Sequence, residues 1–341
     1  MKCHELDVLA RMHRRQYRMR RRGQTGAALI AAMLTVALVA TLAMGAVWQQ
    51  WRTVEVEQAQ RSQQQMQWLL LGAQDWARLI LREDANAGSV DHLSEPWALP
   101  LQEARLKSFL NAEEQADDPS LSESFLSGRI SDLQGRINLA NLVEGHKISA
   151  PWFEVTKRLF SALGLPPSAL VQLVVQLQAS GGAGGGTTNA DPNAHPNALL
   201  PPKQLADLRR FGLSEAMLQA LAPHATWLPQ RTTVNLNTAS AEVLMAVLGM
   251  DGAAAQTLVR QRANSHFKNV ENALQAAPPQ ALAYASLAGV SSRYFEVRGQ
   301  LRLGTLTLEQ LSILERDSGQ IRVLSRHIGS LQSTAYVHAD R

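Results

Sequence analysis

The stretch RRRGQTGAALIAAM, residues 20–33, passes from three arginines into an apolar run across a Gly-Gln-Thr-Gly step. The run continues to Trp48, and Ala27 to Trp48 (AALIAAMLTVALVATLAMGAVW) carries no charge. As a helix these residues would extend about 33 Å, enough to cross a hydrocarbon core of about 30 Å. Seven arginines lie between Arg11 and Arg22, whereas Arg52, Glu55 and Glu57 mix both signs beyond the run. The positive-inside bias therefore puts the N-terminus in the cytoplasm and residues from 49 onward outside it. An ordinary secretory signal cut after Gly45, with Ala43 at the minus-three position, is the competing reading. It fits less well, because a signal's apolar region is only about 7 to 15 residues long.

The leader distorts the overall charge. Residues 1–26 hold eight basic and two acidic side chains, which leaves 25 basic and 27 acidic of the chain's 33 and 29 for the rest. The body is faintly acidic, so a basic pI of about 9.4 is no argument for nucleic-acid binding. Cys3 is the one cysteine, so neither a disulfide framework nor a lipid anchor at the border of the apolar run is available.

Beyond Trp48 the helical pattern continues with a changed character. Residues 49–67 are rich in glutamine, and from Met66 the positions Met66, Leu69, Leu70, Ala73, Trp76, Ala77 and Ile80 recur at helical spacing. One long helix follows, transmembrane first and amphipathic later, ending near Asn86 to Gly88. Trp48 and Trp51 suit a membrane interface, and Trp76 is expected on the sheet-facing side of the helix. Gln102 to Asn111 reads as a short helix, and "SGRISDLQGRINLANL" (127–142) as two strands around a turn at Gln134 and Gly135. Residues 149–290 read almost wholly as short helices, broken by a Gly- and Asn-rich loop at 179–197. From Tyr294 onward, alternation of apolar and polar residues predicts strands. The fold class is α+β: a long N-terminal helix packed on a small, mainly antiparallel sheet, with an inserted all-α domain.

No enzyme is legible in the chain. The nine histidines are scattered without HExxH spacing, GxSxG and paired cysteine ligands are missing, and the Gly-rich loop lacks a phosphate-cradle lysine. The sharpest internal motif is "VNLNTASAEVLMAVLGMDGAAAQTLVRQR" (234–262). It reads as a polar cap at Asn237 or Thr238, a helix, a hairpin at Gly249 to Gly252, and a second helix carrying Arg260 and Arg262. The motif resembles a helix-hairpin-helix unit, which can present backbone N–H groups to a phosphate. Asp251 sits where that anion would lie, so the unit reads as a structural module and no nucleic-acid partner is expected. The alternative is a membrane-anchored DNA-binding protein of the competence type.

The opening border resembles the processing site of type IV pilin-like proteins, in which a basic leader ends in glycine and a prepilin peptidase cuts on the cytoplasmic face. The resemblance implies cleavage between Gly26 and Ala27, with Ala27 the new, N-methylated terminus. Most pilins carry glutamate at the fifth mature position, where this chain has Ala31. That departure matches the minor pseudopilin K branch of type II secretion systems. The chain is similar to that branch also in its "ALI" start (28–30), "DLQGRINLANL" (132–142), "VNLNTAS" (234–240) and "SRYFEVRG" (292–299).

The resemblance implies a leader at 1–26, a transmembrane helix at 27–48, a periplasmic helix and sheet from 49–139 and 291–341, and an inserted α-helical domain at 140–290 with a SAM-like unit at about 234–290. It further implies a single-pass inner-membrane protein, forming the pseudopilus tip with minor pseudopilins I and J. Other pseudopilins, the inner-membrane assembly platform and the prepilin peptidase complete the implied partners. Members of the branch bind calcium through acidic loops. The corresponding loop here, 179–197, offers Asp191 as its one carboxylate, a thin set for a hard cation, so no metal ligand and no cofactor is assigned.

Overall fold

The computed structural model describes residues 25–105, 124–181, 199–304 and 306–329. Its contacts divide the chain into two units, residues 1–65 and 66–341. Helix α1, Thr25–Ala87, begins in the first unit and ends in the second.

In the first unit the described side chains are exposed nearly throughout, including Leu29, Ile30, Val36, Leu42 and Trp48. Nothing inside the unit rewards so apolar a surface. A hydrocarbon solvent does, and it also requires that every polar group be satisfied within the helix. The two hydroxyls of the span meet that demand: Thr35 Oγ1 donates to the Ala32 carbonyl at 2.9 Å and Thr41 Oγ1 to that of Leu38 at 2.8 Å. Past Trp48 the surface turns polar, and Arg61 pairs with Glu57 one helical turn away at 2.5 Å.

In the second unit five strands form an antiparallel sheet in the order β1-β2-β3-β4-β5. The strands are β1 (Leu101–Arg105), β2 (Ser124–Asp132), β3 (Tyr294–Leu303), β4 (Leu306–Asp317) and β5 (Gln320–Gly329). Alternation along β2, β3 and β4 sends Leu126, Leu301, Leu308, Phe295 and Leu314 to one face. There they pack with Met66, Leu70, Ala77 and Leu81 of α1 and with Trp97, whose ring meets Phe295 edge-on at 5.3 Å. At about 25 cal/mol per Å², that burial is the main force holding helix to sheet.

The segment between β2 and β3 builds a separate, largely helical core. Helix α2 (Ala150–Ala162) opens with Pro151 in its first turn, and α3 (Pro167–Ala179) with its own leading proline. Helix α4 (Glu215–Leu221) is capped by Ser214, α5 (Ala241–Leu248) by Ser240, α6 (Gly252–Asn264) by Asp251 and α7 (Val270–Gln275) by Asn269. Leu159, Phe160, Leu173, Phe211, Leu244 and Val247 form the centre of this core.

Four sequence expectations change. Leu101–Arg105 is a strand, because its backbone pairs with Phe125 and Leu126 and that pairing overrides the helix preference of LQEAR; 106–123 lie outside the described residues. The second strand of the 127–142 block shrinks to Ile137 and Asn138, since the Asn138 side chain accepts from Ala140 N–H and bends the chain into a 3-10 turn. The cap of α5 is Ser240 rather than Asn237 or Thr238, whose side chains serve elsewhere. Trp76 reaches the sheet side only at its margin: it lines the space between α1 and the sheet yet stays 44% exposed, while Gln74 takes the fully buried position.

Candidate functional site

At the anchor border Gly26, Ala27 and Ala31 lie in the first two turns of described α1, all exposed. A Cβ built on Gly26 would meet nothing within 4 Å, so packing among the described residues gives no reason for glycine there. Among the described residues one helix, Gly26–Ala87, is long and apolar enough to cross a membrane, and the apolar window within it is wholly unburied. Ala31 adds a methyl group where a carboxylate would bring a charge into that apolar surface.

In the second unit a buried polar junction joins the loop after α1, the ends of the sheet strands and the helical segment. Asp132, the last residue of β2, accepts from Gln134 N–H at 2.7 Å, Ser292 Oγ at 2.6 Å, Thr238 Oγ1 at 2.6 Å and Asn235 Nδ2 at 3.0 Å. Burial pushes its carboxyl above the usual range despite those four donors. Asn235 also donates to the Asp91 carbonyl at 3.1 Å, and its Oδ1 accepts from Asn237 N–H at 3.0 Å. Asn237 in turn exchanges hydrogen bonds with the Phe267 backbone at 2.8 and 2.9 Å. Both asparagines of the VNLN motif are thus braces for the helical segment.

Arg316 closes the junction from β4. It contacts Asp91 at 2.5 and 2.6 Å, Asp84 at 2.9 Å and the Ser292 carbonyl at 2.7 Å, with its guanidinium over the Phe295 ring. Desolvation raises Asp91 to about 6, outweighing Arg316. Asp84 is raised too, first by desolvation and then by the neighbouring Glu95. Asp84, Asp91 and Glu95 bring carboxylate oxygens within 4.8 Å of one another, and the guanidinium of Arg316 supplies the countercharge. Nothing in the local sequence marks this junction, since its members are separated by as many as 232 positions.

The helix-hairpin-helix unit is turned to internal use. Asp251 Oδ1 accepts from Ala254 N–H at 2.8 Å, so its carboxylate caps the amides a phosphate would need. Gly249 adopts a left-handed φ of 62°, and at that end Arg158 donates to the Ala246 carbonyl at 2.7 Å while stacking on Tyr284 at 4.5 Å. Arg262 turns inward to the Leu236 carbonyl at 2.6 Å, and burial lowers it to about 10. Arg260 bonds Thr257 on its own helix. The 182–198 part of the Gly-rich loop, with Asp191, lies outside the described residues.

An apolar anchor helix whose amphipathic second half packs on a small antiparallel sheet is a pilin-like architecture, and the helical segment set between β2 and β3 is an elaboration of it. Residues 234–291 match the family described as "Type II secretion system (T2SS), protein K". Type II secretion system protein K of Pseudomonas aeruginosa is 29% identical over 327 residues, 91% of this chain and 94% of that protein. The Pectobacterium carotovorum protein of the same name is 24% identical over 91% of this chain and 98% of its own length. Among solved structures, a chain of the GspK-GspI-GspJ complex from enterotoxigenic Escherichia coli is similar, with a TM-score of 0.61, 20% identity, and coverage of 80% of this chain and 99% of that one. Over most of its length the chain is thus similar to protein K of type II secretion systems, and these likenesses support the role of a minor pseudopilin.

Proposed function

We infer that the chain forms the tip of a periplasmic pseudopilus with minor pseudopilins I and J, supports its initiation, and thereby serves export of folded proteins across the outer membrane. The observation that carries this reading is the pairing of Ala31 with the helical segment. A subunit without a carboxylate at the fifth mature position gives up the charge pair to a subunit above, and a bulky body crowds further stacking. The relative from enterotoxigenic Escherichia coli, whose complex holds GspI and GspJ, supports the choice of partners. In this reading prepilin peptidase cuts between Gly26 and Ala27, Ala27 is N-methylated, the leader stays cytoplasmic and the body is periplasmic. Other pseudopilins and the inner-membrane platform are the remaining partners.

Pseudopilus length and exoprotein secretion test the tip role. Ala31→Glu is expected to lengthen pseudopili or disturb their initiation, and deletion of residues 140–290 to impair secretion. If both variants left length and secretion unchanged, the capping account would be wrong. Mass spectrometry of the mature N-terminus tests the processing step.

A further inference from the structure

Between α1 and the sheet lies a half-open cavity of about 260 Å³. Its walls include Trp76, Ile80, Trp97, Leu101, Leu126 and Ile130. Two glycines hollow it out: Gly128 of β2 and Gly299 of β3 are register partners, so two adjacent strands withhold side chains from the helix-facing side at one level. Gln310, the partner of Gly299 on β4, and Gln74 of α1 complete the lining. These glutamines are 3% and 2% exposed.

The polar atoms of this pair do not all find partners. Gln74 Oε1 accepts from Arg326 Nε at 3.1 Å and from Ser312 Oγ at 2.7 Å. An arginine Nε only donates, which fixes the orientation of the Gln74 amide. The same oxygen accepts from Gln310 Nε2 at 2.9 Å, which fixes the second amide. What remains is one donor, Gln74 Nε2, and one acceptor, Gln310 Oε1, both buried and unpartnered. Burying each without a partner costs about 1–3 kcal/mol.

A ligand that repairs both must donate and accept. A carboxylate would face Gln310 Oε1 with a second acceptor, and an ammonium would offer Gln74 Nε2 nothing to donate to. A neutral hydroxyl does both, and the two tryptophans ask for a flat apolar body to carry it. The volume falls below the usual range for drug-sized ligands, about 300–1,000 Å³, and suits a single side chain. Leu101 begins β1, one of the two edge strands of the sheet among the described residues, and such an edge can hold an extended segment of another chain.

We propose that this cavity is a binding site for a tyrosine side chain presented by a protein partner, its hydroxyl bridging Gln74 and Gln310 and its ring lying among Trp76, Trp97 and Ile80. The site rests on the cavity's chemistry, independently of the tip assignment.

The test uses the full-length chain in nanodiscs, with N-acetyltyrosinamide and N-acetylphenylalaninamide as probes that differ by one hydroxyl, followed by the indole N–H resonances of Trp76 and Trp97. The expected result is saturable binding of the tyrosine probe about tenfold tighter than the phenylalanine probe, the difference one restored hydrogen-bond pair can supply. The double variant Gln74→Leu, Gln310→Leu should equalise the probes. A Cβ on Gly299 meets only the flexible tip of Leu70, at 3.3 Å, so Gly299→Val should fill the cavity and abolish both. Should Gly299→Val fail to fold, Gly299→Ala serves with a smaller loss. Equal affinity for the two probes in the unaltered chain, no saturable binding, or tyrosine binding indifferent to the residue at 299 would overturn the proposal.

Discussion

The anchor segment and the body use their residues in opposite ways. Through the first unit the described apolar side chains are exposed and the hydroxyls bond back to their own helix, so the sequence there answers to an apolar solvent. In the second unit polar residues are drawn inward: Asp132, Asn235 and Asn237 answer to one another, and Gln310 to Gln74. A change in the body should therefore alter stability, while a change in the anchor should alter recognition and leave stability alone.

The largest effect expected is at Arg316. Arg316→Met leaves Asp84 and Asp91 without their cation and should destabilise the body by about 3–5 kcal/mol in urea unfolding, with Arg316→Lys recovering only part. Asn235→Ala strips three acceptors of a donor and Asn237 N–H of an acceptor, an expected loss of about 2–3 kcal/mol.

Protons sharpen the contrast. Folded Asp91 keeps its proton up to about 6, whereas the unfolded carboxyl releases it near 3.8. Between those values the folded state binds more protons, so its contribution is full below the lower value and is lost as pH rises through the upper one. Unfolding free energy should fall by on the order of 1–3 kcal/mol across that interval. Asp91→Asn should flatten much of the slope, leaving a residue from Asp84 and Asp132, which are shifted the same way.

Asp251→Ala removes one helix cap, worth about 1 kcal/mol in thermal unfolding. At the bottom of the scale, Gly26→Val should change unfolding of the body by less than about 0.5 kcal/mol while leaving the leader uncut, read as the mass of the mature chain. A large stability change from Gly26→Val, or none from Arg316→Met, would break the comparison.

The same contrast explains what the sequence reveals. Ala27 to Trp48 is legible because one solvent dictates every residue, and the strands after Tyr294 because one buried face dictates alternate residues. The edge strand at Leu101 is hidden because its partner begins at Ser124, and LQEAR alone reads as helix. Gln74 is a detectable signal: it falls among Leu70, Ala73 and Ala77 in the apolar stripe, where a polar residue asks for a reason. Arg316 has no such mark, since an arginine in a strand ordinarily faces water and only its meeting with Asp84 and Asp91 makes it a keystone. The VNLN asparagines look like capping residues because asparagine commonly is one, and the nearby Ser240 takes that role.

The position of the helical segment between β2 and β3 bears on how the sheet comes into being. Ser292 and Asp132 bond across 160 positions of chain, and three of the five strands follow the helical segment. Closing so long a loop before its interior is compact is slow, because the entropy lost in closure is recovered only by contacts formed later. The helical core, rich in local contacts, is therefore the part equipped to fold first and to hold the two ends of the sheet together. A chain halted at any point before Tyr294 would have β1 and β2 with no central strand to join, leaving strand edges open. The order of the elements thus makes the sheet a late record that the whole body has been synthesised and has collapsed.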